Sequence, residues 1–175
     1  MSVHPRETAS RWAAPTRQEK ICHLDAIRAR VAPPRAAGRR VVLSQGCFDL
    51  VHLGHVRHFR EARAMGDLLV VAVTEDRYVT KGPDRPLFPL AQRMEFLAEL
   101  ECVDFVIPSP TATAIPVLRA LRPDVYVRGA EYETRGAADP RFLAEQEVVA
   151  RYGGAVAFSH DPLVLSSTRL QKSLS

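Results

Sequence analysis

Two histidines stand around a glycine in His52-Leu53-Gly54-His55, directly after Gly46-Cys47-Phe48-Asp49-Leu50-Val51. The pattern places two imidazoles where a helix is expected to begin. Helix N-termini attract anions through their unsatisfied N–H groups and dipole, and the missing side chain at Gly54 lets a phosphate approach the backbone. Two histidine donors on one phosphate would stabilise charge developing on it. The spacing alone also allows a polar helix cap beside a surface histidine. A third reading is metal ligation, because His52, His55 and His58 recur every third residue. Steps of three rotate side chains around a helix, and no Cys, Asp or Glu supplies the missing ligand at a suitable spacing, so no metal site is expected here.

Other polar residues fall in loops. Lys81 lies in Thr80-Lys81-Gly82-Pro83-Asp84-Arg85-Pro86 and is one of only three lysines, with Lys20 and Lys172, against 21 arginines. A flexible ammonium beside glycine suits a phosphate that must arrive and leave, although a solvated loop lysine reads the same way. Arg128-Gly129-Ala130-Glu131-Tyr132 ends a predicted strand in a glycine turn, which suits backbone hydrogen bonding to a base edge or an ordinary strand-to-helix turn. Ser166-Ser167-Thr168-Arg169 offers hydroxyls at the start of a short helix, either as an ordinary cap or as anion ligands.

The elements that must position these residues follow from hydrophobic pattern. Ile21, Leu24, Ile27 and Val31 recur at helical spacing before Pro33-Pro34 stops the pattern. Strands are expected at 41–43, running into the Ser44-Gln45-Gly46 turn, and at 68–73, 103–107, 125–127 and 155–158. Helices are expected at about 54–65, 90–100, 112–121 and 142–152, with a short one from Ser167, and loops between. Apolar strands alternating with helices predict a doubly wound, Rossmann-like parallel α/β sheet in a single domain. Residues 1–37 read as a tail with an amphipathic helix, and 38–175 as the sheet domain. Ligands of such sheets bind beyond the carboxyl ends of the strands, which is where the loops above lie.

Composition narrows the setting. The 175 residues carry 46% hydrophobic and 25% charged residues and a net charge of +4, which suits one globular domain and excludes a disordered or fibrous chain. An odd set of cysteines, Cys22, Cys47 and Cys102, argues against a disulfide framework and for a reducing cytoplasm. The N-terminus lacks an apolar signal core and no stretch is long enough to span a membrane, so no membrane partner is expected. No basic stripe interleaves with aromatics, so nucleic acid is not an expected partner either.

The segment GCFDLVHLGH resembles the first-loop signature of the cytidylyltransferase-like nucleotidyltransferases, whose HxGH motif corresponds to His52, Leu53, Gly54 and His55. The resemblance continues in order through 57–107, PDVYVRGAEY and SSTRL, covering about residues 38–173. Within the family it is most similar to the adenylyltransferase domain of ADP-heptose synthase and relatives acting on sugar phosphates. It implies transfer of a nucleoside monophosphate, AMP from ATP, to a sugar phosphate such as heptose 1-phosphate, with release of pyrophosphate and with Mg2+ on the nucleotide.

By the same resemblance His52, His55 and Lys81 are the catalytic residues. Gly46, Cys47, Phe48, Asp49, Gly54, Arg93, Arg128, Gly129, Glu131, Ser167 and Thr168 would bind the nucleotide. Arg93 corresponds to a helix arginine that faces its phosphates, and Arg85 is a weaker candidate for the same cluster. Acceptor recognition is left unassigned. Several relatives are dimers, which implies a homodimer, and relatives are often fused to a sugar kinase. The chain departs from the glycerol-phosphate enzymes by carrying Ser159-His160-Asp161-Pro162-Leu163 in place of their Arg-Thr-Glu-Gly lead-in. The alternatives are a cytidylyltransferase for glycerol 3-phosphate or another polyol phosphate, and a non-catalytic nucleotide-binding domain.

Overall fold

Val41, Val42 and Leu43 open a strand that is buried on both faces, and every residue of the strand beside it, Leu68–Thr74, is buried as well. Near-continuous apolar runs of this kind belong to parallel sheets with helices on both sides. In the computed structural model, which describes residues 15–80, 82 and 84–160, the order is α1 (Arg17–Lys20), α2 (Leu24–Ala36), β1 (Val41–Gly46), α3 (Leu53–Ala64), β2 (Leu68–Thr74), α4 (Leu90–Ala98), β3 (Phe105–Ser109), α5 (Ile115–Leu121), β4 (Val125–Gly129), α6 (Glu131–Arg135), α7 (Pro140–Arg151) and β5 (Ala155–Ser159). Short 3-10 turns at Asp76–Tyr78 and Gly136–Ala138 interrupt the loops.

The five strands are parallel in the order β3-β2-β1-β4-β5, so the expected doubly wound sheet is the observed one. The chain builds outward from β1 to β3, then returns to the other side of β1 for β4. That reversal makes a switch point between the carboxyl ends of β1 and β4. One face packs Phe59 and Ala62 of α3 and Met94 and Leu97 of α4 on Val42, Leu69, Val71 and Val127. The other packs Ile27 and Val31 of α2, Val117 and Leu118 of α5 and Phe142 of α7 on Leu43, Val70 and Tyr126. Each such fully buried Leu, Ile or Val contributes roughly 1.5–3 kcal/mol. The helix expected within residues 1–37 thus shares its core with 38–175.

Several boundaries differ from the pattern-based expectation. Ile21 is not helical; it bridges Val106 at the sheet edge, while α2 begins at Leu24. Pro33 and Pro34 do not stop α2 at once but lie in its last turn, where they lack the N–H groups that would donate to the Ala29 and Arg30 carbonyls, and the helix ends two residues later at Ala36. Gly38, with φ of +76°, then ends it: the Gly38 amide donates to Arg35 O and the Arg39 amide to Pro34 O, closing a Schellman motif. β1 runs on through Gly46, and α5 starts only at Ile115 because the hydroxyl of Thr111 turns the chain by donating to Thr113 O. β3 pairs from Phe105 to Ser109, two residues later than expected. Helix α6 lies in a stretch read as loop. The helix expected from Ser167 lies outside the described residues.

Candidate active site

The loop between β1 and α3 turns at Phe48, whose φ of +50° lies in the left-handed region that side chains usually avoid. Strain of that kind persists where surrounding contacts enforce it. Here the Phe48 ring packs edge-on against His55 at 5.5 Å and Phe59 at 5.0 Å between centroids. It also lies over Gly46, where an added Cβ would come within 2.8 Å of the ring. Gly46 therefore makes room for an aromatic platform beneath the second histidine.

His52 is the residue that caps α3, and Gly54 and His55 stand in its first turn. The backbone N–H of His52 points at Nδ1 of His55 at 3.4 Å, and the His52 side chain faces the His55 amide, the reciprocal arrangement of a capping box. Their rings lie 4.0 Å apart, tilted by 35°. With Nδ1 of His55 turned to an N–H, its ring proton belongs on Nε2, which makes that nitrogen a donor. Both imidazoles are thus fixed at a helix N-terminus, at the carboxyl end of β1.

Asp49 is buried and holds the next loop. Its carboxylate takes Nη1 of Arg85 at 2.5 Å and the Phe88 amide at 3.1 Å. Burial pushes its pKa up, but Arg85 and the amides of Leu87 and Phe88 outweigh that and leave it below the usual aspartate value. Asp49 is an ionised clamp, with Arg85 its buried counter-ion. Arg93, only 2% exposed, stitches the same region together. Its guanidinium donates to Phe88 O, Cys47 O, Thr74 O and Asp76 Oδ1 at 2.9, 2.5, 2.8 and 2.6 Å. Its donors are committed to three loop carbonyls and the Asp76 carboxylate, not turned to an open phosphate site.

Across the switch point, Arg128 leaves β4 on the opposite face. It donates to Oε1 of Gln45 at 2.8 Å and to the Tyr126 hydroxyl at 2.9 Å, and lies 3.8 Å over the Tyr132 ring. Tyr126 in turn donates to Glu145, whose other oxygen accepts the Ala114 amide at 2.7 Å. The Glu131 carboxylate folds back onto Gly129, where a Cβ would collide with it. Glu131 itself opens α6.

The structure brings Gly46, Cys47, Phe48, Asp49, His52, Gly54, His55 and Arg93 around the β1 end and Arg128, Gly129 and Glu131 around the β4 end. Lys81, Ser167 and Thr168 lie outside the described residues. Sequence reasoning missed Gln45, Tyr126 and Glu145. Their signal was a polar side chain on the inner face of an apolar strand or helix, visible only once their partners are adjacent. Among the described residues, no three His, Cys, Asp or Glu groups converge to hold a metal, and no helix is long and apolar enough to cross a membrane.

The cytidylyltransferase-like family model matches residues 43–171. The bifunctional protein HldE of Geotalea uraniireducens (strain Rf4) is 42% identical over 146 residues, 82% of this chain and 29% of the relative. HldE of Halorhodospira halophila (strain DSM 244 / SL1) is 41% identical over 145 residues, again 82% and 29%. The chain therefore spans under a third of the length of these relatives. Among solved structures, a lipopolysaccharide core biosynthesis protein from Thermoplasma volcanium GSS1 aligns with TM-score 0.58 and 26% identity, over 71% of this chain and all of that one. A pantoate-beta-alanine ligase from Francisella tularensis aligns with TM-score 0.55 at 15% identity, over 87% and 76%, a likeness of fold.

Proposed function

The chain belongs to the cytidylyltransferase-like family, and from that membership we propose that it transfers AMP from ATP to the phosphate of a sugar phosphate such as heptose 1-phosphate. The observation that carries this reading is the pair of imidazoles fixed at the start of α3 beside the β1–β4 switch point. The HldE relatives favour an adenylyl over a cytidylyl donor through the sequence resemblance above, and the neighbour described as a lipopolysaccharide core biosynthesis protein agrees with a sugar acceptor.

In this reaction an oxygen of the acceptor phosphate attacks the α-phosphorus in line. The bond from that phosphorus to the oxygen bridging the β-phosphate breaks, and pyrophosphate leaves with the bond electrons. The transfer needs no covalent enzyme intermediate; the protein supplies positioning and charge stabilisation. Nε2 of His55, His52 and the first-turn amides of α3 would hold the α-phosphate oxygens as charge builds on them. Lys81, Ser167 and Thr168 would bind the outgoing phosphates, and Gly129 to Glu131 the base. Asp49, Arg85 and Arg93 fix the loops around them. The divalent ion, Mg2+, would enter with the nucleotide, bridging its phosphates rather than sitting in a protein cage.

Residues 38–175, with α2 packed into their core, would form the transferase domain, acting in the cytoplasm as a homodimer. The test is a matrix of four NTPs against heptose 1-phosphate, other sugar 1-phosphates and glycerol 3-phosphate, read by pyrophosphate release. ATP with a sugar 1-phosphate should give the highest rate. A preference for CTP with glycerol 3-phosphate overturns the donor and acceptor, and no release from any pair overturns the enzyme.

A further inference from the structure

His58 plays no part in the reading above, yet it connects elements that are far apart in sequence. It lies one turn beyond His55 on α3, with its ring 5.4 Å from that of Phe59. Its Nε2 is 2.7 Å from the hydroxyl of Ser44 on β1, and its Nδ1 is 2.5 Å from the hydroxyl of Ser159 on β5. β1 and β5 are not neighbours: β4 runs between them, pairing Val127 with both Ser44 and Ala157. One imidazole thus spans the carboxyl end of β4 and ties α3 to both flanking strands.

The tie is chemically specific. Ser44 and Ser159 are 1% and 4% exposed, on a sheet face whose core there is Val42, Val125 and Val127 with Ala157 packed against it. A neutral imidazole offers one donor and one acceptor, and a hydroxyl can take either role, so both contacts are satisfied together. Burial, with the nearby Arg128 charge, keeps the ring neutral by lowering its pKa to about 4. A second contact lies next to it. Glu61, three residues further along α3, accepts the His160 amide at 3.0 and 3.1 Å, and the His160 ring meets Glu133 of α6 at 2.8 Å. Helix α3 therefore grips the chain where it leaves β5, using residues at i and i+3 on one side of the helix.

We propose that His58 is a positioning residue for nucleotidyl transfer: it fixes the carboxyl ends of β1 and β5, at Ser44 and Ser159, against the helix whose first turn carries His52 and His55. The assignment rests on the reading of those residues as phosphate ligands. If one side of a phosphate site moves against the other by a fraction of an ångström, the loss falls on the transition state more than on ground-state binding.

The test compares His58→Leu, which has no polar atom, with His58→Gln, which keeps one donor and one acceptor, well below the unfolding midpoint of each. With ATP and heptose 1-phosphate, His58→Leu should lose about tenfold or more in kcat with KM for ATP within about threefold, and His58→Gln should recover much of the loss. Hydrogen exchange at His160 and in the first turn of α3 should quicken by about tenfold in His58→Leu, with β2 unchanged. Wild-type kcat in a folded His58→Leu, or a loss that His58→Gln does not relieve, overturns the proposal. If the wild-type protein proves inactive, the function reading fails instead, and exchange decides the tie alone: a uniform rise across the sheet, or none, overturns it.

Discussion

The two ends of the sheet are built from the same strands but use polar side chains in opposite ways. At the amino end three aspartates each accept a backbone amide from their surroundings: Asp67 from Arg40, Asp104 from Leu69 and Asp124 from Val41, at 2.8, 2.7 and 2.7 Å. Those acceptors tie the starts of neighbouring strands together. At the carboxyl end the polar groups act on loops. Asp49 and Arg93 hold loops in place, Phe48 sits in a strained conformation, and two imidazoles crowd a helix start. The amino end uses its polar groups for stability and the carboxyl end mainly for shape, so substitutions at the three aspartates should act on unfolding and those at the α3 start on turnover, with His58, which ties strands together, affecting both.

His55→Ala should break the carboxyl end most severely. Turnover is expected to fall by about 10²–10³-fold, as for removal of one oxyanion donor, while the circular dichroism spectrum and unfolding midpoint stay near wild type. Turnover equal to wild type would remove His55 from the chemistry. Asp104→Ala is the matching change at the amino end. Its carboxylate bonds the buried Leu69 amide and meets Nε of Arg63 at 2.9 Å. Losing it should cost about 2–3 kcal/mol in urea unfolding, with kcat unchanged. A fall in kcat at temperatures where the variant is folded would erase the division between the ends.

A titration sharpens the same contrast. The folded-state pKa of His58, about 4, lies below its ordinary value of 6.5. The folded protein resists a proton that the unfolded chain accepts, so this contribution is complete above pH 6.5 and is lost as pH falls towards 4. Between pH 7 and pH 5 it should remove about 2 kcal/mol. Urea unfolding of wild type and His58→Gln at both values isolates it, because the variant lacks the group; an equal pH dependence in both would refute the assignment. The smallest effect belongs to the exposed Arg151–Glu147 pair on α7, 68% and 64% exposed at 2.6 Å. Arg151→Ala should change stability by about 0.5 kcal/mol or less and leave turnover as it was.

What could be read from sequence follows from the range of the interactions. β2 was legible because six consecutive apolar residues, Leu68 to Val73, buried on both faces need no partner to be recognised. The start of α3 was legible because cap, glycine and histidines are local. The end of α2 was not, since Pro33-Pro34 looks like a stop until the Schellman bonds at Gly38 show which turn they occupy. Arg93 stands in the helix where it was expected, but its acceptors come from Cys47, Thr74, Asp76 and Phe88, and no spacing reveals that they converge. His58 looked like the third member of an every-third-residue series. Its partner Ser159 is 101 residues away, and only the strand order puts it within reach.

The central claim is that the carboxyl end directs attack on the α-phosphorus of a nucleotide. Phosphorus NMR of wild-type protein with ATP, Mg2+ and heptose 1-phosphate tests it most directly. Pyrophosphate and a new pair of diphosphate-diester resonances should appear in equal amounts and grow together. ADP with a phosphorylated sugar, which marks attack at the γ-phosphorus, or a spectrum that stays unchanged, would contradict it.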